Sequence, residues 1–319
     1  MKHLNLLSNY SFSHGQSPLS CMLCPRACRV DRSEGNIGYC GETDIVRLSR
    51  AALYFYEEPC LTGKRGVGNI FFSGCSLRCV YCQNREIALG NHGKEITFER
   101  LVEIFRELQE KGAENIGLVT ATHFVPTVVK AVEEYREECE KEGIRPLKFI
   151  YNSSGYESID TLEMLAGLID IYLPDFKYMS PDRAKKYSNA YDYPEVAKAA
   201  LAEMYRQVGG TIFTGDGMLS RGIVVRHLVL PLGTHDSMDV IKYLHDTYGD
   251  DIMISIMSQY TPLEGVGEKY PELGRRITRR EYDRVVDFAL SMGVTNAYIQ
   301  ERKVAEASFI PDFDSFEGV

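Results

Sequence analysis

From residue 95 onward, short apolar runs alternate with stretches in which apolar residues recur every three or four positions. Phe98, Leu101, Val102, Phe105 and Leu108 define one face of a helix that Gly112 ends. The run 115–120 reads as a strand. A helix follows with Pro126 in its first turn, and Val128, Val132, Tyr135 and Cys139 fall on one stripe, which makes Cys139 a core residue. Strands are expected at 147–151, 169–173, 223–230 and 252–257. Helices are expected at 158–168, at 181–208 in two pieces broken near Pro194, and around Ile241 and Leu244. Thr278 and Glu281 form a capping-box pattern opening a last helix that stops at Gly293. With a strand over residues 70–73, this makes six βα units in succession. Such alternation predicts an α/β fold with a parallel sheet and crossover helices.

The chain before residue 95 is different. Residues 1–20 are polar and aperiodic, a loose arm. Cys21, Cys24, Cys28 and Cys40, with Pro25, Gly35, Gly38 and Gly41 among them, describe a compact knuckle. So short a segment buries little apolar surface and needs a metal to hold it. Its Cys-x2-Cys-x3-Cys spacing is unlike the paired Cys-x2-Cys of a zinc ribbon, so a structural zinc and a second iron–sulfur cluster both remain open. Cys60 is a candidate replacement ligand or a buried small hydrophobe. Residues 46–56 read as a strand or two linking the knuckle to the rest. Gly66 and Gly68 precede their strand, whereas a dinucleotide site places its glycines after it, so they mark a turn. The expected division is a 1–20 arm, a 21–62 cysteine-rich module with linker, a 63–300 main domain and a 301–319 C-terminal tail.

Composition adds exclusions. A net charge of −9 over 319 residues speaks against a nucleic-acid groove or an anionic membrane surface. No apolar run reaches membrane-spanning length and the first twenty residues lack a signal-like core, which points to a cytoplasmic protein. Nine cysteines that cluster mostly in short metal-type spacings, without a signal, suit metal better than disulfides.

The densest chemistry lies in 74–84, where Cys75, Cys79 and Cys82 are spaced Cys-x3-Cys-x2-Cys directly after the apolar run 69–73. Three thiolates from one short loop can hold three irons of a 4Fe–4S cube and leave the fourth open to a small molecule. A three-cysteine zinc site or three buried thiols are the plainer alternatives.

Polar residues gather where the other strands end: Thr120, Thr122 and His123; Asn152, Ser153 and Ser154; Asp175 and Lys177; Arg226 and His227 within the fifth strand; Ser258, Gln259 and Tyr260 after the sixth. Arg226 sits in an apolar strand and needs an anionic partner, Asp175 or a ligand carboxylate. His123 is expected to be a hydrogen-bonded core histidine as readily as a functional one.

The cysteine loop, ending Val80-Tyr81-Cys82, resembles the radical S-adenosylmethionine (SAM) superfamily. The runs around Cys21 to Cys40, Glu58-Pro59-Cys60, 119–124, 151–156, 173–177 and 225–231 narrow this to relatives of pyruvate formate-lyase activating enzymes, over residues 21 to about 300. The resemblance implies a partial (β/α)6 barrel with its chemistry at the C-terminal strand ends. It implies that Cys75, Cys79 and Cys82 ligate a 4Fe–4S cluster whose open iron chelates SAM, and that Tyr81 lies against the adenine. Reductive cleavage would then give a 5′-deoxyadenosyl radical that abstracts hydrogen. Asp175, Lys177 and Arg226 match family positions that bind SAM, with Asn152, Ser154 and Gln259 as further polar contacts. The family's Gly-Gly-Glu-Pro segment is replaced by Thr120-Ala121-Thr122-His123, which leaves Thr120 or Thr122 as acceptor for the SAM amino group.

Three functions follow. The first is an activase that abstracts hydrogen from a glycine of a glycyl-radical protein, reduced by a flavodoxin- or ferredoxin-like donor. The second applies the same chemistry to a peptide or small molecule. The third is a non-catalytic iron–sulfur or zinc protein of redox or assembly function.

Overall fold

The computed structural model describes residues 20–300 and 311–319; the arm expected at 1–20 lies outside these except for Ser20. A sheet of ten strands runs β1 (Arg47–Tyr54), β2 (Val67–Phe72), β3 (Lys94–Glu95), β4 (Asn115–Val119), β5 (Lys148–Ser153), β6 (Ile171–Pro174), β7 (Ile212–Phe213), β8 (Leu219–Leu228), β9 (Met253–Met257) and β10 (Ala297–Ile299). Its spatial order is β10-β9-β8-β6-β5-β4-β2-β1-β3, with β7 paired to β8. Neighbours from β2 through β10 along this path are parallel, and β1 pairs antiparallel with both β2 and β3. Among the described residues no pairing joins β10 to the β1–β3 end, so the sheet is an open, partial barrel.

The parallel core of the sheet is covered on both faces, which is why β2, β4 and β6 are buried at every position and largely apolar, with Asn69 and Asn115 as buried polar residues. The crossover helices are α1 (Phe98–Glu110), α2 (Val125–Glu142), α3 (Ile159–Met164), α4 (Pro181–Ser188), α5 (Tyr193–Val208), α6 (Thr234–Tyr248) and α7 (Arg279–Ser291). Thr97 caps α1 by accepting from the Arg100 N–H, and Leu101, Val102, Ile104, Phe105 and Leu108 form its buried face. Phe105 meets Phe149 of β5 and Tyr135 of α2 edge-to-face, with centroids 5.2 and 5.8 Å apart. Burial of each such ring contributes about 1.5–3 kcal/mol. The Thr278–Glu281 capping box forms as expected at α7. Cys139 is fully buried on α2.

Two boundaries differ from expectation. Residues 47–54 belong to the main sheet, because Leu48, Ala51 and Ala52 are buried through pairing with β2. The cysteine module therefore ends before Arg47. Residues 301–310 lie outside the described part, but 311–319 return to the sheet: the Ala51 N–H donates to the Glu317 carbonyl (2.8 Å) and Phe313 packs on Phe71. β10 adds a seventh parallel strand beyond the six units expected.

Candidate active site at the strand ends

The cysteine loop leaves β2 through Gly74, whose φ of +83° suits glycine and whose missing Cβ would sit 2.7 Å from the Cys40 carbonyl oxygen. The loop then closes over the C-terminal ends of the parallel strands. Cys75, Cys79 and Cys82 all line one cavity of about 530 Å³. Ser188 donates its hydroxyl to Cys79 Sγ (3.0 Å), and the Leu77 N–H points at Cys75 Sγ (3.4 Å). Burial pushes the Cys82 thiol up to about 12 and raises that of Cys79, the latter offset in part by the Lys177 ammonium. Such desolvated thiols become thiolates when a cation binds them.

Of the polar residues expected at the site, Tyr81, Thr120, Asn152 and Ser154 line the cavity, as do Asp175, Lys177, Arg226 and Gln259. Tyr81 is fixed by three tyrosines set edge-on, Tyr178, Tyr187 and Tyr260, and its hydroxyl accepts from Tyr178 (2.6 Å). Lys177 Nζ donates to Asp175 Oδ2 at 2.7 Å. Burial disfavours the ammonium, but the Asp175 carboxylate more than offsets this and holds its pKa above the ordinary lysine value. Tyr193 ties the same segment down, donating to the Ser154 and Asp175 carbonyls and accepting from the Lys177 N–H.

Arg226 does not pair with Asp175. Their backbones bridge side by side, yet the guanidinium turns to Glu57 and Glu58, which follow β1. Asp175 is taken by the nearer Lys177. Thr122 is also misplaced in the expectation: it is buried outside the cavity, where its hydroxyl donates to Glu157 (2.8 Å). Cys60 is no substitute ligand for the knuckle, since it is buried among Leu61, Val67, Ile150 and Met253 on the sheet. His123 is a core residue bonded to the Ser73 carbonyl (2.7 Å), and burial beside the Arg32 cation pushes its pKa down to about 3.

Sequence reasoning missed Glu57 and Glu58 as site residues, and Tyr298 and Gln300 of the β10 end, all of which line the cavity. Two adjacent carboxylates before a proline, at the end of a strand, were the available signal for the first pair. A soft-donor trio and a ring of hydroxyls, amides and charges in one cavity fit a 4Fe–4S cluster with SAM beside it. Residues 69–220 match the Radical SAM superfamily. The chain carries a radical SAM domain. Around it, an uncharacterised protein of Methanocaldococcus jannaschii is 23% identical over 279 residues, 85% of this chain and 74% of that protein. Pyruvate formate-lyase 1-activating enzyme of Escherichia coli K12 is 27% identical over 115 residues, 35% of this chain and 46% of the enzyme. The match therefore spans less than half of that enzyme. Among solved structures, Streptococcus suis SuiB bound to its precursor peptide SuiA is similar at 12% identity and a TM-score of 0.47, over 71% of this chain and 46% of SuiB. Methylornithine synthase PylB is similar at 15% identity and a TM-score of 0.47, over 76% and 63%.

Beside the radical SAM domain, the knuckle brings its four cysteines into one neighbourhood. Cys28 and Cys40 present their sulfurs to the same glycine, Gly38, and Cys21 and Cys40 both press electrostatically on Cys24, whose thiol burial pushes up to about 12. Among the described residues no helix is long and apolar enough to cross a membrane.

Proposed function

We propose that this protein is a radical SAM enzyme that abstracts hydrogen from a substrate at the cavity, with Cys75, Cys79 and Cys82 holding the cluster and the strand ends holding SAM. The observation that carries this reading is the convergence of the three thiols with Lys177, Asp175, Thr120 and Asn152 on one cavity. When bound, the cluster supplies the electron for reductive cleavage of SAM, and SAM supplies the carbon radical that takes the hydrogen atom.

The chain's own part is binding and orientation. Glu57, Glu58 and Asp175 are three formal carboxylates against the cations Arg226 and Lys177, an excess that favours the sulfonium and ammonium of SAM. Thr120, Asn152 and Ser154 offer hydroxyl and amide groups for the ribose and amino ends. Tyr81 presents a ring held rigid by its neighbours to the adenine. A hydrogen-atom transfer needs no general base, so the residues of the cavity are asked only to bind and orient.

For the substrate, the reading extends to a glycine of a glycyl-radical protein, with a cytoplasmic flavodoxin- or ferredoxin-like donor as reductant. The similarity to pyruvate formate-lyase 1-activating enzyme supports it. The test is anaerobic incubation of the reduced protein with SAM. Deoxyadenosine and methionine should form slowly and be lost in Cys82→Ala. A partner deuterated at its glycine α-carbons should pass deuterium into deoxyadenosine. Label arriving instead from a peptide side chain or small molecule would replace the activase reading. Metal retained with no SAM cleavage would leave a redox or assembly protein.

A further inference from the structure

We propose that Cys21, Cys24, Cys28 and Cys40 hold a second 4Fe–4S cluster that feeds single electrons to the cluster of Cys75, Cys79 and Cys82. This rests on the radical SAM reading above. The knuckle is closed by short backbone bonds, from the Cys21 N–H to the Val30 carbonyl (3.1 Å) and from the Arg29 N–H to the Cys21 carbonyl (3.0 Å). Three of its thiols are buried and Cys28 is half-buried, so the set is a desolvated pocket of soft donors. Arg32, fully buried, aims Nη1 at Cys21 Sγ (4.0 Å), a cation placed where thiolates would gather.

The ligand spacing favours a cube: Cys-x2-Cys-x3-Cys with Cys40 beyond it is unlike the two matched Cys-x2-Cys pairs of a zinc ribbon. A redox-active centre at this place also has a use, beside the loop of Cys75, Cys79 and Cys82, that a redox-silent zinc ion lacks.

The position of the knuckle gives the second cluster its role. The Cys75 N–H donates to the Cys40 carbonyl (3.1 Å), so one peptide hydrogen bond joins a ligand of one set to a ligand of the other. Arg26 locks the contact from the far side. Its Nε donates to the Ser76 carbonyl and its Nη2 to that of Ser188, each at 2.8 Å, while Ser188 itself holds Cys79. The guanidinium stacks on Tyr39, 4.2 Å from the ring centre. Met22 and Ile37 of the knuckle are both exposed. One electron leaves a reduced flavodoxin- or ferredoxin-class carrier and reduces the knuckle cluster. That cluster is reoxidised as the Cys75 cluster accepts the electron, with no proton moved.

The experiment uses full-length protein purified anaerobically. Iron, sulfide and zinc are counted and Mössbauer spectra recorded. Wild type should hold iron and sulfide for two cubes and no stoichiometric zinc. Cys75→Ser/Cys79→Ser/Cys82→Ser should keep one cube, with an electron paramagnetic resonance signal that SAM does not alter. Cys24→Ser/Cys28→Ser should keep the other cube, whose signal SAM does alter. That variant should reduce normally with dithionite but at least tenfold more slowly with flavodoxin hydroquinone. Zinc in wild type with iron for one cube overturns the second cluster. Equal flavodoxin-driven rates overturn the relay. The wild-type count decides the metal even where a variant fails to fold. A cube that ignores SAM in every protein would sink the radical SAM reading instead, leaving the metal assignment to the count.

Discussion

Arg226 on β8 grips Glu58 with two nitrogens, Nε at 2.9 Å and Nη2 at 2.6 Å, across 168 residues of chain. Glu57 takes a further bond from Nη2. Burial alone would raise the Glu58 pKa, but the guanidinium's charge and hydrogen bonds hold it below the ordinary value. The arrangement staples the end of β1 to the barrel strand opposite. Removing one member of a buried pair strands the other, at a cost of about 3–5 kcal/mol. Arg226→Met, which strands both carboxylates, should lower the unfolding free energy in urea by that order, and Glu58→Gln by less, because Glu57 still answers the guanidinium. The double variant should cost clearly less than the sum. Additive losses would mean that the two side chains do not depend on each other.

Gly155 faces the Asp175 carbonyl so closely that a Cβ would lie 2.2 Å from it, at a φ of +74°. Gly155→Ala must therefore push Asp175 and its partner Lys177 out of place. Gly112 also has positive φ, +83°, but nothing lies within 4 Å of its would-be Cβ. Gly112→Ala should cost only about 1–2 kcal/mol of left-handed strain. SAM affinity by calorimetry should fall at least about tenfold in Gly155→Ala, equivalent to about 1.4 kcal/mol, and stay unchanged in Gly112→Ala. Equal affinities in both would remove Asp175 and Lys177 from the SAM site.

Which parts of this were legible in the sequence follows from the range of the forces involved. The face of α1 and the Thr278–Glu281 box are set within a few residues, and both form as read. β10 was missed because Ala297–Ile299 is a short, partly exposed edge with neither alternation nor a continuous apolar run. Arg226 had a plausible partner in Asp175, whose backbone does lie beside it, yet the carboxylate was already taken two residues along by Lys177. Glu58, far away in sequence, was left to answer the charge. Thr122 was drawn from the cavity by Glu157, a buried carboxyl on the next crossover. Periodicity shows which face is buried, but not which distant polar group a side chain will meet.

His227 adjoins Arg226 and is buried, its Nδ1 bonded to the Phe176 carbonyl at 2.7 Å and its Nε2 unpartnered among the described residues. Burial pushes its pKa down from 6.5 to about 4, against the hydrogen bond to Phe176. Between those values the unfolded chain binds a proton that the folded chain refuses. Stability should therefore rise with pH across this window and be lost as pH falls from about 6.5 to 4, by about 3 kcal/mol for this residue. Denaturant melts across that range should show a shallower slope in His227→Asn than in wild type. An unchanged slope would mean that His227 titrates normally in the fold.

Ser188 joins three parts of the protein. Its hydroxyl reaches Cys79 Sγ (3.0 Å) and the Tyr178 hydroxyl (2.8 Å), and Tyr178 in turn donates to Tyr81. Its carbonyl accepts from Arg26 of the knuckle. A hydrogen bond to a ligating sulfur stabilises the more negative, reduced form of a cluster and so raises its potential. Ser188→Ala deletes only the hydroxyl and leaves the carbonyl that Arg26 holds. The midpoint potential of a cluster held by Cys75, Cys79 and Cys82 should move to more negative values, while that of a cluster at Cys21, Cys24, Cys28 and Cys40 should stay as it is. Ser188→Thr should restore the original potential. A potential that moves in neither variant would show that Cys79 does not ligate the cluster through the sulfur Ser188 faces. A shift confined to the knuckle cluster would reverse the assignment of the two sets.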